Sequence, residues 1–150
     1  MGFSVSGATV VLFLGIVISF GIAHAAVNNG VEAVNDAYRD SADKELSQQN
    51  TAIEIADAHV ANQGGDLQLN VTVNNTGTTT LSVEDTDILI NGTYTSHDSM
   101  ETLAVDGDTD TDLWLPGESL YFEDNLTSAP VRVKVVTESG VSASAEAEVV

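Results

Sequence analysis

Cysteine is absent from the 150 residues, which excludes a disulfide framework, a thiolate zinc site and a cysteine nucleophile. Basic residues are nearly absent too: four Lys and Arg stand against 23 Asp and Glu, for a formal net charge of −19. Such a field repels phosphate backbones and leaves no basic stripe for one to follow, so nucleic acid is excluded as a partner. Two prolines and 12 glycines are too few for a collagen-like or wholly disordered chain. Aromatics make up 5% of the residues, with Trp114 the single tryptophan, so packing of aliphatic side chains has to hold the fold together.

Charge is also missing from the beginning of the chain, where the first ionised side chain is Glu32. From Ala8 to Val27 the sequence is apolar apart from Thr9, Ser19 and His24. At about 1.5 Å per residue this run covers a hydrocarbon layer of roughly 30 Å, and it reads as a membrane helix behind a short tail, residues 1–7. A cleaved secretory signal would need a positive leader, which Met1 to Gly7 lacks, although Ala23, Ala25 and Ala26 resemble a cleavage exit. A retained anchor is the better reading. Met1-Gly2-Phe3-Ser4-Val5-Ser6 fits an acylation pattern that an adjacent span would make redundant. Within the span Gly15, Ser19 and Ala23 form a small-residue ladder suited to close helix pairing.

Helical spacing continues through Val27, Val31, Val34 and Tyr38, then more weakly Ala42 and Leu46, and predicts a stalk over residues 28–50. Its stripe either rests on its own domain or pairs with a second copy, giving a homodimer. Past Asn50 the period changes to alternation, and residues 51–150 read as strands. Thr51–Val60 comes first, then Leu67, Leu69, Val71 and Val73 alternate with polar residues up to the turn Asn75-Thr76-Gly77. Thr78–Val83 follows. Asn91-Gly92 joins Ile88–Ile90 to Thr93–Thr95 as a hairpin. Leu113–Leu115 runs into Pro116-Gly117 and then Ser119–Glu123, with Trp114 in a phase opposite to its two leucines. In the final pair, Val131, Val133 and Val135 share one face, and Val141, Ala143, Ala145, Ala147 and Val149 another, so two inner faces are expected to meet. Seven or eight short strands with no strong helix predict a mainly β fold, an immunoglobulin-like antiparallel β-sandwich behind the transmembrane helix.

No nucleophile elbow, zinc-binding helix or phosphate-cradling glycine loop is present, and the three histidines are scattered: His24 in the span, His59 at a strand end, His97 in a loop. No enzyme and no cofactor are expected. Asp106, Asp108, Asp110 and Asp112 alternate like half of a calcium loop, but Gly107 is misplaced for one and Gly117 stands where the closing acid would be, so the segment reads as a solvated acidic loop. Arg132 and Lys134 stand on the polar face of the last hairpin and are expected to pair with Glu146 or Glu148. Four glycosylation sequons, at Asn70, Asn74, Asn91 and Asn125, place the domain outside the membrane, against the weak pull of Arg39 and Lys44 toward the inside.

The combination of MGFSVSG entering an apolar helix, VNDAYRDSADKELSQQNTAI, VTVNNTGTTTLSV, DILINGTY, LWLPGE and RVKVVTE resembles the archaellum cluster protein family FlaF of salt-loving archaea, over nearly the whole chain. The sister family FlaG shares some of these turns. The resemblance implies a single-span membrane protein whose outward sandwich binds the surface-layer protein and serves as a static part of the archaellum motor, with FlaG among its neighbours. Type IV pilins are related, but here no Lys or Arg precedes Gly2 and Gly7 stands where a pilin carries Glu, which disfavours a filament subunit.

An acid-rich body repels itself unless salt screens it. Residues 51–150 are therefore expected to lose their fold on dialysis to low salt, as followed by circular dichroism. A spectrum indifferent to salt contradicts that expectation.

Overall fold

The structure is a computed structural model that describes residues 3–129 and 131–150. Met1, Gly2 and the Ala25 side chain, which belong to the acylation and cleavage patterns, lie outside the described residues. The chain divides into two compact units, Met1–Asp43 and Lys44–Val150.

One helix, α1, runs Phe3–Asn50 without a break. It starts earlier than Ala8 because no proline or charge interrupts Phe3 to Gly7, and it continues past Val27 to Asn50, over the residues read as a helical stalk. Its N-terminal part is long and apolar enough to cross a membrane. Every described side chain from Ser6 to Leu46 is exposed, so this stretch builds no core of its own.

The second unit is mainly β. Its strands are β1 Ile53–Gln63, β2 Asp66–Asn75, β3 Leu81–Ser82, β4 Asp87–Ile90, β5 Thr93–Thr95, β6 Thr102–Val105, β7 Leu113–Trp114, β8 Ser119–Leu126, β9 Val131–Val136 and β10 Ser142–Val149. Eight of them form one curled sheet in the order β5-β4-β9-β10-β1-β2-β8-β6, and β3 and β7 pair separately. The alternation read from Leu67 to Asn74 is the observed inside-outside pattern of β2, with Leu69, Val71 and Val73 fully buried. Asn91 and Gly92 both take positive φ, 53° and 81°, the backbone a two-residue hairpin needs, and they join β4 to β5 in the expected register.

Several details differ from the sequence reading. The sheet is mixed: His59 and Val60 of β1 lie parallel to Glu148 and Val149 of β10, which makes one sheet where two antiparallel ones were expected. The arms of the last hairpin do not face each other, because Val131, Val133 and Val135 lie beside Ala147, Ala145 and Ala143 on one face of adjacent strands. Thr78–Val83 shrinks to the two-residue β3, since the groups before it are diverted: the Thr78 amide donates to Asn50 O (2.8 Å) and Thr79 O accepts from the Asn75 side chain (2.9 Å). Strand β6 was invisible because its residues are buried toward one end instead of alternately. His59 stands within β1, not at its end. Trp114 is buried and Leu113 and Leu115 are exposed, which settles their opposed phases.

Inside the curl, Leu69, Val71 and Phe122 from one half of the sheet and Ile88, Val133 and Val135 from the other belong to one buried cluster. Trp114 joins it and satisfies its indole N–H on Glu118 O at 2.9 Å.

At one end of this core the turn after β2 meets the end of α1. The Thr76 and Gly77 amides donate to Ala52 O, both at 2.9 Å, so the carbonyls where the helix leaves off are satisfied by the sheet. Asn75, 1% exposed, organises the meeting: its Nδ2 donates to Thr79 O (2.9 Å) and Trp114 O (3.1 Å), and its Oδ1 accepts the Gly77 amide at 3.1 Å. Its backbone bonds Glu118 O and the Gly117 amide. A Cβ on Gly77 would stand 2.5 Å from Ala52 N and 2.6 Å from Asn50 O, backbone that cannot step aside. Gly77→Ala is expected to lower unfolding stability by about 2 kcal/mol or more, and Asn75→Asp, which aims an oxygen at two carbonyls, by about 3 kcal/mol. The exposed Thr76→Ala is the control. Urea titration checks this, and a midpoint equal to that of the parent in either variant contradicts it.

Candidate functional site

The acidic loop lies between β6 and β7, and three of its carboxylates accept separate backbone N–H groups instead of converging. Asp106 Oδ1 accepts the Ser119 amide at 3.0 Å, Asp108 Oδ1 accepts the Asp110 amide at 2.9 Å, and Asp112 Oδ1 accepts the Glu84 amide at 2.7 Å and the Ser82 hydroxyl at 3.1 Å. Asp108 closes a local turn, whereas Asp106 and Asp112 tie the loop to the start of β8 and to the segment after β3. Among the described residues no three Asp, Glu or His side chains come together as a cation site would require.

The four sequon residues fall in two environments. Asn70 and Asn74 lie on the outer face of β2, half-buried between β1 and β8; Asn70 Oδ1 accepts from the Tyr121 hydroxyl and Asn74 Oδ1 from the Ser119 hydroxyl, both at 2.9 Å. Asn91 and Asn125 are exposed. Asn125 Nδ2 donates to Glu101 Oε2 at 2.9 Å, whereas Asn91, on its hairpin tip, engages its amide oxygen with the Arg132 N–H at 2.9 Å. On α1, the Ser19 hydroxyl donates to Gly15 O at 2.8 Å, so that polar group in the ladder is satisfied within its own helix.

The histidines are dispersed. His59 Nδ1 lies 2.6 Å from Asp57 Oδ2, and the His97 ring nitrogen Nε2 donates to Thr86 O at 2.8 Å, pinning the short turn His97–Ser99 to the strand region before β4. Arg132 stands opposite Glu146 in register, but among the described residues no lysine or arginine makes an ion pair. The acid excess is left without local compensation.

Two features escaped the sequence. The first is a polar cluster on the outer face: Tyr121 donates to Glu123, the Thr102 hydroxyl also donates to Glu123, at 2.8 Å, and Asn70 stands opposite Glu123 in register. Loss of water and the adjoining Glu123 carboxylate push the Tyr121 hydroxyl up to about 12, so it stays a neutral donor. The second is Asp124, which shares the inward phase of Leu120, Phe122 and Leu126; ending the strand at Glu123 hid it. Burial raises its pKa, with the Asn125 backbone N–H partly opposing.

Leu113 and Leu115 are 57% and 44% exposed on either side of buried Trp114, and Leu46, Tyr94, Val149 and Val150 are the other large apolar side chains exposed in this unit. The backbone of the two leucines is held, Leu115 N–H on Glu118 Oε2 at 2.8 Å and Leu113 N–H on the Thr111 hydroxyl at 3.1 Å.

No family model matches the chain, and no curated protein matches it. Among solved structures, a chain in the crystal structure of the human cytomegalovirus protein US2 bound to the MHC class I molecule HLA-A2/tax is similar over 64% of this chain and 95% of its own, at 14% identity and a TM-score of 0.35. A likeness this loose carries no argument about fold or function.

Asp124 supplies the test of this geometry. A carboxyl whose folded pKa is raised stabilises the fold below its unfolded value, 3.8, and that contribution is lost as pH rises through the folded value. Asp124→Asn is therefore expected to raise the melting temperature at about pH 7, by roughly 1–3 °C because water still reaches the half-buried group, and to give no gain at about pH 3. A destabilised variant at neutral pH overturns the assignment.

Proposed function

We propose that this protein is a non-enzymatic membrane anchor: α1 spans the bilayer, the β domain lies outside the cell, and the domain binds a surface-layer protein lattice, as the resemblance to the archaellum family FlaF implies. The observation that carries the reading is the unbroken helix Phe3–Asn50, apolar at its start and hydrogen-bonded to the sheet at its end. Extraction of such a span from lipid is costly, so a load on the domain is resisted without any chemistry. We read the curled sheet as an immunoglobulin-like sandwich, β1, β2, β8 and β6 forming one layer and β5, β4, β9 and β10 the other, because side chains from both groups share one core.

The contact is assigned to Leu113 and Leu115. A tethered binder gains effective concentration, so modest affinity per copy suffices when several copies engage one lattice. The acid coat fits a high-salt exterior, where screening removes its self-repulsion. Of the four sequons, Asn91 is the one suited to carry a sugar, since its side chain is exposed and its amide oxygen alone is engaged.

The full-length chain in detergent and molar potassium chloride should be retained on isolated surface-layer lattice, and Leu113→Asp with Leu115→Asp should abolish retention without changing the melting temperature. Retention no greater than that of an unrelated single-span protein refutes the anchor. An intact mass that begins at Phe3 would place the chain with filament subunits instead.

A further inference from the structure

The exposed helix carries a pattern that the anchor reading does not use. Counting from the stalk backward, Val34, Val31, Val27, His24, Phe20 and Val17 recur at alternating steps of three and four, and Phe13 and Val10 continue the series toward the N-terminus. One heptad seam thus passes from the span into the stalk without a phase break, with Tyr38 and Ser41 at its far end. Inside a bilayer lipid covers such residues. Beyond it, Val27, Val31, Val34 and Tyr38 are 63%, 56%, 55% and 73% exposed, and their own helix does not cover them.

Charge follows the same division. The four acids of this stretch, Glu32, Asp36, Asp40 and Asp43, all fall at outer positions of the heptad (b, c or f). The positions flanking the seam are Asn28, Gly30, Asn35, Ala37 and Ala42, small or neutral throughout. In a chain of net charge −19, one helical face is free of acid from Asn28 to Ala42, and the seam ends before its next position, which is Glu45. The polar seam residue Ser41 needs no partner, because its hydroxyl donates to Ala37 O at 2.8 Å.

A third observation fixes the geometry. The helix surface has a shallow depression lined by Phe20, Ala23, His24, Val27 and Asn28. Phe20, Ala23, His24 and Val27 are the d, g, a and d quartet that forms one hole of a parallel coiled coil, and the knob such a hole receives is the a residue at the same level, His24 of a second copy. Copies inserted with the same topology present identical residues at the same depth, so a self-complementary seam meets itself in register.

We infer that two copies of this chain pair through the seam Val10–Ser41 as a parallel, in-register coiled coil running from the bilayer into the stalk. This surface differs from the small-residue ladder: Gly15 and Ser19 fall at the outer positions f and c, and only Ala23, at g, borders the seam. The pairing does not depend on which lattice the domain binds. It doubles the number of β domains per anchor, which raises avidity for a repeating partner.

The absence of native cysteine makes the test direct. In full-length chain reconstituted in lipid vesicles, Val27→Cys and Val34→Cys should oxidise to a disulfide-linked species of twice the monomer mass. Asn29→Cys and Ala33→Cys, on the outer face, should remain monomeric over the same time. Equal linking at all four positions, preferential linking through Ser19→Cys, or no dimer at any position overturns the seam. As a second arm without oxidation, Val31→Asp should halve the protein mass measured by sedimentation in detergent while helix content and Trp114 fluorescence stay unchanged. A Val31→Asp chain that still sediments as the parent does also refutes it.

Discussion

One buried carboxamide holds together the parts of this molecule that sequence distance separates. Asn75 ends β2, yet its side chain reaches the carbonyls of Thr79 and Trp114 and the amide of Gly77, and its backbone is bonded to the β7–β8 turn. A carboxamide can do this where a carboxylate cannot, because two donors and one acceptor are required at once. The same turn delivers the Thr76, Gly77 and Thr78 amides to carbonyls at the end of α1. The long helix is therefore joined to the sheet by hydrogen bonds and by the chain itself, and the contact leaves no room for a side chain at position 77. The proposed anchor would need such a joint, since force on the domain would otherwise peel the helix end first.

Much of the fold was legible where local pattern and tertiary demand agree. Period-two alternation located β2, Asn91-Gly92 announced its hairpin, and the uncharged opening of the chain announced the helix. Prediction failed where long-range bonds override local preference. Thr78–Thr80 has good strand propensity, but Asn50 and Asn75 claim its backbone groups first. The parallel contact of β1 with β10 joins residues nearly ninety positions apart and leaves no local trace. Asp124 was one acid among 23, and only the true end of β8 shows that it points inward. Asn75 looked like an ordinary turn residue because the sequence could not show what its amide touches.

Electrostatics divide the molecule more sharply than secondary structure does. Apart from Asp124 the β domain wears most of its acids on the outside, and among the described residues no lysine or arginine pairs with them. Screening by the solvent is the means left to relieve their mutual repulsion. The helix shows the opposite economy of charge, none before Glu32 and none on one face from Asn28 to Ala42. An apolar stripe without like charge is the feature on which the proposed pairing of two copies rests, and pairing would supply the avidity of the proposed role.

The account stands on the joint between α1 and the sheet, and hydrogen exchange at its backbone measures it directly. In detergent and high salt, the amides of Thr76, Gly77 and Thr78 are expected to exchange as slowly as those of Val71 and Val133 in the core, opening only with global unfolding. Exchange at the rate of an exposed loop, while the core strands stay protected, would show that helix and sheet are merely consecutive and that nothing locks one to the other.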